Sequence, residues 1–96
     1  MNRMCGYLSV AALLIGASCA SLSIDNIAPP VSADDAQLYR GRRIYLTKCA
    51  RCHAPEPVAK YSRSDWDRIM PEMVADTRLA PADADAVTRY VRQFAR

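Results

Sequence analysis

The sequence predicts an all-α domain of three to four short helices, on three observations. Apolar residues recur at three- and four-residue spacing in three separate stretches. No stretch alternates with period two for long enough to form a convincing strand. Prolines at 55, 57, 71 and 81 punctuate the chain where a helix must stop, bend or begin.

The first stretch, "MNRMCGYLSVAALLIGASCAS", has one positive charge at Arg3, an apolar run from about Tyr7 to Ile15, and small residues from Gly16 to Ser21. That order predicts a secretory signal over residues 1–20. The apolar run falls short of the roughly 20 residues a membrane-spanning helix needs. Gly16-Ala17-Ser18-Cys19 is similar to a bacterial lipobox, with glycine where that pattern usually has leucine. On that reading Cys19 carries a lipid anchor; cleavage after Ser18-Cys19-Ala20 instead discards it. Both routes export the chain, to a periplasmic location in which a lipid on Cys19 would hold it at the membrane.

Residues 21–33, "SLSIDNIAPPVSA", are polar and interrupted by Pro29 and Pro30, which predicts a tether or extended lead-in. The folded domain is expected over 34–96. Asp34 and Asp35 suit a helix N-terminus, and Leu38, Gly41, Ile44, Tyr45 and Lys48 then fall at helical spacing. Gly41 costs the helix about 1 kcal/mol relative to alanine, which is tolerable where another backbone must come close. "HAPEPVAKYSRS" is a loop. Ser64 is the expected N-cap of a helix from Asp65 carrying Trp66, Ile69, Met70 and Met73, which Pro71 is expected to kink or restart. Pro81 opens the last helix, whose apolar face is Ala86, Val87, Tyr90, Val91 and Phe94.

With the signal removed, about 76 residues remain, too few to bury a comfortable core without a staple such as a disulfide, metal or cofactor. Cys5 and Cys19 belong to the leader, so Cys49 and Cys52 are the cysteines left to supply one. They stand in Cys49-Ala50-Arg51-Cys52-His53, which ends in the sole histidine of the chain. A structural zinc site wants a second pair of ligands, and none exists. A thioredoxin-like dithiol wants a strand before it, and none is predicted. The spacing supports the third chemistry, C-x-x-C-H as a c-type haem attachment: two thioethers from Cys49 and Cys52, and His53 as an iron ligand.

With "RGRRIYLTKCARCH", "PEPVAKYSRSDWDRIMPEM" and "LAPADADAVTRYVRQF", the chain from about Gln37 to Phe94 resembles small monohaem c-type cytochromes of bacterial export compartments. The resemblance implies a cytochrome c-like fold wrapped around one covalent haem c per chain, with redox proteins and not nucleic acid as partners. It also implies that a loop proline carbonyl orients the ligand histidine, a role for Pro57 with Pro55 as the alternative. In similar cytochromes a tryptophan and a methionine seven residues apart supply the second iron ligand. Trp66 and Met73 match that pair, with Met70 the alternative. Tyr61 and Trp66 are expected in the haem pocket, their polar tips toward the propionates.

A methionine thioether is a soft ligand that favours ferrous iron, so His/Met ligation predicts one-electron transfer. No nucleophile and base can be paired, because the one histidine is spent on the iron, and an enzyme is not expected. The alternatives are a haem module that binds or senses small ligands at an open sixth site, and a haem subunit of a larger redox complex. Thirteen basic residues against ten acidic ones say little about partners. Arg40, Arg42, Arg43, Lys48 and Arg51 cluster near the haem string, as a solvated helix face or a docking face for an acidic partner.

Overall fold

A computed structural model describes residues 23–96; the expected signal over 1–20 and Cys19 lie outside the described residues. All regular structure among the described residues is helical. Helix α1 spans Ala36–Thr47, α2 spans Arg63–Thr77 and α3 spans Pro81–Phe94, with 3-10 turns at Ile24–Asn26, Cys49–Arg51 and Val58–Lys60. None of these helices is long and apolar enough to cross a membrane.

Helix α1 begins where expected, with the Asp35 carboxylate accepting the Leu38 amide at 3.1 Å. Its buried residues, Leu38, Gly41, Ile44 and Tyr45, form the predicted stripe, which packs on α3 through Ala86, Val87, Tyr90 and Val91. Gly41 is the closest point of that crossing. A Cβ placed there would lie 2.2 Å from the Ala86 carbonyl oxygen and 2.7 Å from the Tyr90 Cβ. The two backbones can meet because glycine has nothing to interpose.

Helix α2 starts two residues earlier than the sequence predicts. Ser62, not Ser64, is the N-cap, because Ser62 and Asp65 form a reciprocal box: the Ser62 hydroxyl accepts the Asp65 amide at 3.2 Å, and the Asp65 carboxylate accepts the Ser62 amide at 3.3 Å. Ser64 falls inside the first turn. The helix also does not restart at Pro71, which lies within one continuous α2. Pro71 and Asp67 are both exposed, so water can satisfy the Asp67 carbonyl that Pro71 has no amide to meet. The helix ends with Arg78 in the left-handed region at φ 55°, while the Leu79 amide reaches back to the Val74 carbonyl at 3.3 Å.

The 21–33 lead-in is docked over part of its length rather than free. Ala28 is fully buried, Arg42 Nε donates to the Ala28 carbonyl at 3.1 Å, and the Tyr90 hydroxyl donates to the Pro29 carbonyl at 2.7 Å. Backbone carbonyls make these contacts, so the polar, proline-containing sequence gave no apolar pattern to announce them.

Charged contacts brace the helices from outside. Asp83, on the first turn of α3, is buried against α1, paired with Arg40 and accepting from Lys48 Nζ at 3.1 Å. Asp35 accepts both ends of the Arg89 guanidinium, at 3.0 and 3.1 Å, and Asp67 pairs with Arg92. The Asp83 carboxyl is held below its ordinary value first by the Lys48 bond, that of Asp35 first by Arg89, and that of Asp65 first by the Ser62 hydroxyl.

Two outcomes are expected. Gly41→Ala should destabilise the fold by about 1–3 kcal/mol despite alanine's better helix propensity, because the added methyl meets the Ala86 carbonyl and the Tyr90 Cβ, neither of which can swing aside without moving α3; thermal or denaturant unfolding measures it. Because the three aspartates have lowered folded-state pKa values, the stability they add should be complete above the ordinary aspartate value of 3.8 and drain away as pH falls from there through the folded values. An unfolding series across that acid range should show a steeper loss for the parent than for the Asp83→Asn variant.

Candidate functional site

A cavity of about 280 Å³ lies between the end of α1, the loop after it and α2. It is lined by Tyr45, Cys49, His53, Pro55, Glu56, Tyr61, Trp66, Ile69 and Met73. Tyr61, Ile69 and Met73 also line a separate groove of about 400 Å³, together with Asp65, Glu72 and Asp76. Residues from 45 to 73 thus share one wall, although each comes from its own local structure.

Tyr45 is the last buried residue of α1, and its hydroxyl donates to the Glu56 carbonyl. Burial, followed by the nearby Cys49 and Glu56, pushes its pKa far up, so it remains a donor. The 3-10 turn Cys49–Arg51 sets Cys49 inward and leaves Cys52 exposed; both thiols are free. Burial raises the Cys49 thiol, with Arg51 pulling the other way. His53 is exposed at the cavity edge, and its Nδ1 lies 2.8 Å from the Ala54 carbonyl oxygen. A carbonyl can only accept, so Nδ1 is the donor in this contact. Nε2 is the ring nitrogen that the contact leaves free for another partner.

Trp66 is almost wholly buried, and its Nε1 donates to the Val58 carbonyl at 2.9 Å. The indole tip is therefore engaged by the loop backbone. Tyr61 packs edge-on against Trp66 at 5.2 Å between ring centroids, and Tyr45 does so from the other side at 6.0 Å. The loop is also tied at its end, where the Arg96 amide donates to the Tyr61 carbonyl at 2.9 Å.

The two methionines separate cleanly. Met73 is half-buried in the cavity wall beside His53 and Cys49. Met70 is buried and lines a different cleft, between α2 and α3, with Val74, Ala84 and Thr88. The prolines separate too: Pro55 lines the cavity, whereas Pro57 lies outside the lining and its carbonyl accepts the Lys60 amide at 2.9 Å.

A thiol, an imidazole, a thioether and aromatic rings line this one cavity, and these are the residue types that would hold a covalent haem. No three His, Cys, Asp or Glu side chains converge on a metal position among the described residues. Tyr45 and Glu56 were not singled out from the sequence as lining. Tyr45 looked like an ordinary member of the α1 stripe, and Glu56 is held through its backbone, which no side-chain pattern reports. Of the basic cluster, Arg40 and Lys48 are taken up by Asp83 and Arg42 by Asp25, which leaves Arg43 and Arg51 without a carboxylate partner among the described residues. Comparison with family models, with characterised proteins and with solved structures returned no match.

The unequal exposure of the two cysteines has a direct readout. In chain made without the haem-attachment machinery, iodoacetamide should label Cys52 ahead of Cys49; peptide mass spectrometry at short times measures the order, and equal rates would contradict the described packing.

Proposed function

We propose that the protein is a one-electron carrier built on a covalently attached c-type haem, with the cytochrome c-like arrangement that the sequence resembles. The observation that carries the reading is the convergence of Cys49, His53 and Met73 on one cavity walled by Trp66, Tyr61 and Ile69. Cys49 and Cys52 would hold the group as thioethers, and His53 and the Met73 sulfur would ligate its iron. The group supplies reversible ferric–ferrous exchange when bound.

The protein's own part is to hold the ligands still and keep water out. Ala54 orients the imidazole through its carbonyl. Trp66, Tyr61 and Tyr45 supply an apolar wall whose polar tips are occupied by, or remote from, the interior. A methionine on that wall is a soft ligand favouring the reduced state. An exported, periplasmic carrier meeting redox proteins is the setting this reading implies.

The test is substitution of each methionine in haem-loaded protein. Met73→Leu should abolish the methionine-to-iron absorption band of the ferric form and open the ferrous form to carbon monoxide. Met70→Leu should keep the band and cost under about 1.5 kcal/mol, as a volume-conserving core change. If neither substitution changes the spectrum and the parent takes up carbon monoxide readily, the iron has an open site and the ligand-binding module is the better reading.

A further inference from the structure

We infer that Ile27–Pro29, in the lead-in before the helical body, is a positioning strap for the cavity wall, latched by Arg42 and Tyr90. The inference rests on the reading of that cavity as a haem pocket and adds an element that does not line it.

The strap acts along two routes. The Ile27 carbonyl accepts the Val58 amide at 2.8 Å, and the Val58 carbonyl accepts Trp66 Nε1 at 2.9 Å. One residue, through its own N–H and C=O, thus links the strap to the indole that walls the cavity, and Val58 itself is fully buried. On the other route the Tyr90 hydroxyl donates to the Pro29 carbonyl, and the Tyr90 ring packs 6.4 Å from that of Tyr45, whose hydroxyl holds the Glu56 carbonyl in the cavity loop. Arg42 closes the latch, with Nε on the Ala28 carbonyl at 3.1 Å and Nη2 on Asp25 at 2.9 Å. Buried Ala28 sits between these bonds. A loop from Pro55 to Tyr61 with no helix longer than one turn has little stiffness of its own, so bonds from outside must supply it. Neither latch side chain touches the cavity, and both point from helical residues toward carbonyls that nothing else described here satisfies.

The experiment uses the full haem-loaded chain with Arg42→Gln and Tyr90→Phe, singly and together. Tyr90→Phe keeps the ring that seats Gly41. Arg89→Gln, which breaks the bond to Asp35 on a face away from the loop, is the control for simple loss of stability. Amide exchange at Val58 in the double variant should rise about tenfold, the scale of one or two net hydrogen bonds. The methionine-to-iron band should weaken and carbon monoxide uptake by the ferrous form should quicken at least about threefold, while Arg89→Gln shifts neither for a similar fall in melting temperature. Arg42→Lys, which keeps a donor toward Ala28, should retain most of the band. If the double variant melts lower but keeps the parent band and uptake rate, the strap is only structural and the inference falls alone. If the parent itself lacks the band, the haem reading falls and takes the strap's role with it.

Discussion

Everything else in this small body depends on how near two helices can approach. At the Gly41–Ala86 crossing, the backbone of α1 rests against that of α3 with no side chain between them. That contact brings the Tyr45 and Tyr90 rings together and carries the end of α1, with Cys49 just beyond it, over the interior. Any larger residue at 41 would lift α1 and with it the first half of the candidate site. Large aromatic side chains then fill the space that a chain of this length can scarcely fill with aliphatic ones.

The cavity wall rests on a different kind of bond. Its loop lacks extended regular structure, and its carbonyls are held individually: Glu56 by Tyr45, Pro57 by Lys60, Val58 by Trp66 and Tyr61 by Arg96. Buried donors such as an indole N–H carry a desolvation cost if left unpaired, so each tie both satisfies the side chain and fixes the loop. The Tyr45 hydroxyl and the Trp66 N–H are thereby both bonded to carbonyls of the loop.

Electrostatics plays a bracing role. Asp35 caps α1 and grips Arg89 of α3, and Asp83 at the start of α3 gathers Arg40 and Lys48 from α1. Positive charge that looked in sequence like one basic face is thereby split. Part of it locks helices together, while Arg43 and Arg51 have no carboxylate partner among the described residues. Screening limits what each exposed pair contributes, but Arg40–Asp83, Lys48–Asp83 and Arg89–Asp35 all act on the α1–α3 crossing, while Arg92–Asp67 ties α3 to α2.

The sequence by itself determined the helical class, the three apolar stripes, the close approach at Gly41 and the group of residues around Cys49, Cys52 and His53, because these follow from spacing and residue type along a short stretch. Side chains at three- and four-residue intervals share a face whatever the rest of the chain does. It did not determine that Met73 rather than Met70 shares a cavity with His53. Both lie on the same helix three residues apart, and only the packing of α2 against α3 turns Met70 toward that interface and Met73 toward the cavity. Nor did it reveal the docked lead-in, the choice of Ser62 over Ser64 as cap, or the shared role of the Val58 peptide. Those rest on backbone groups that every residue carries, and only the three-dimensional course of the chain selects which of them meet.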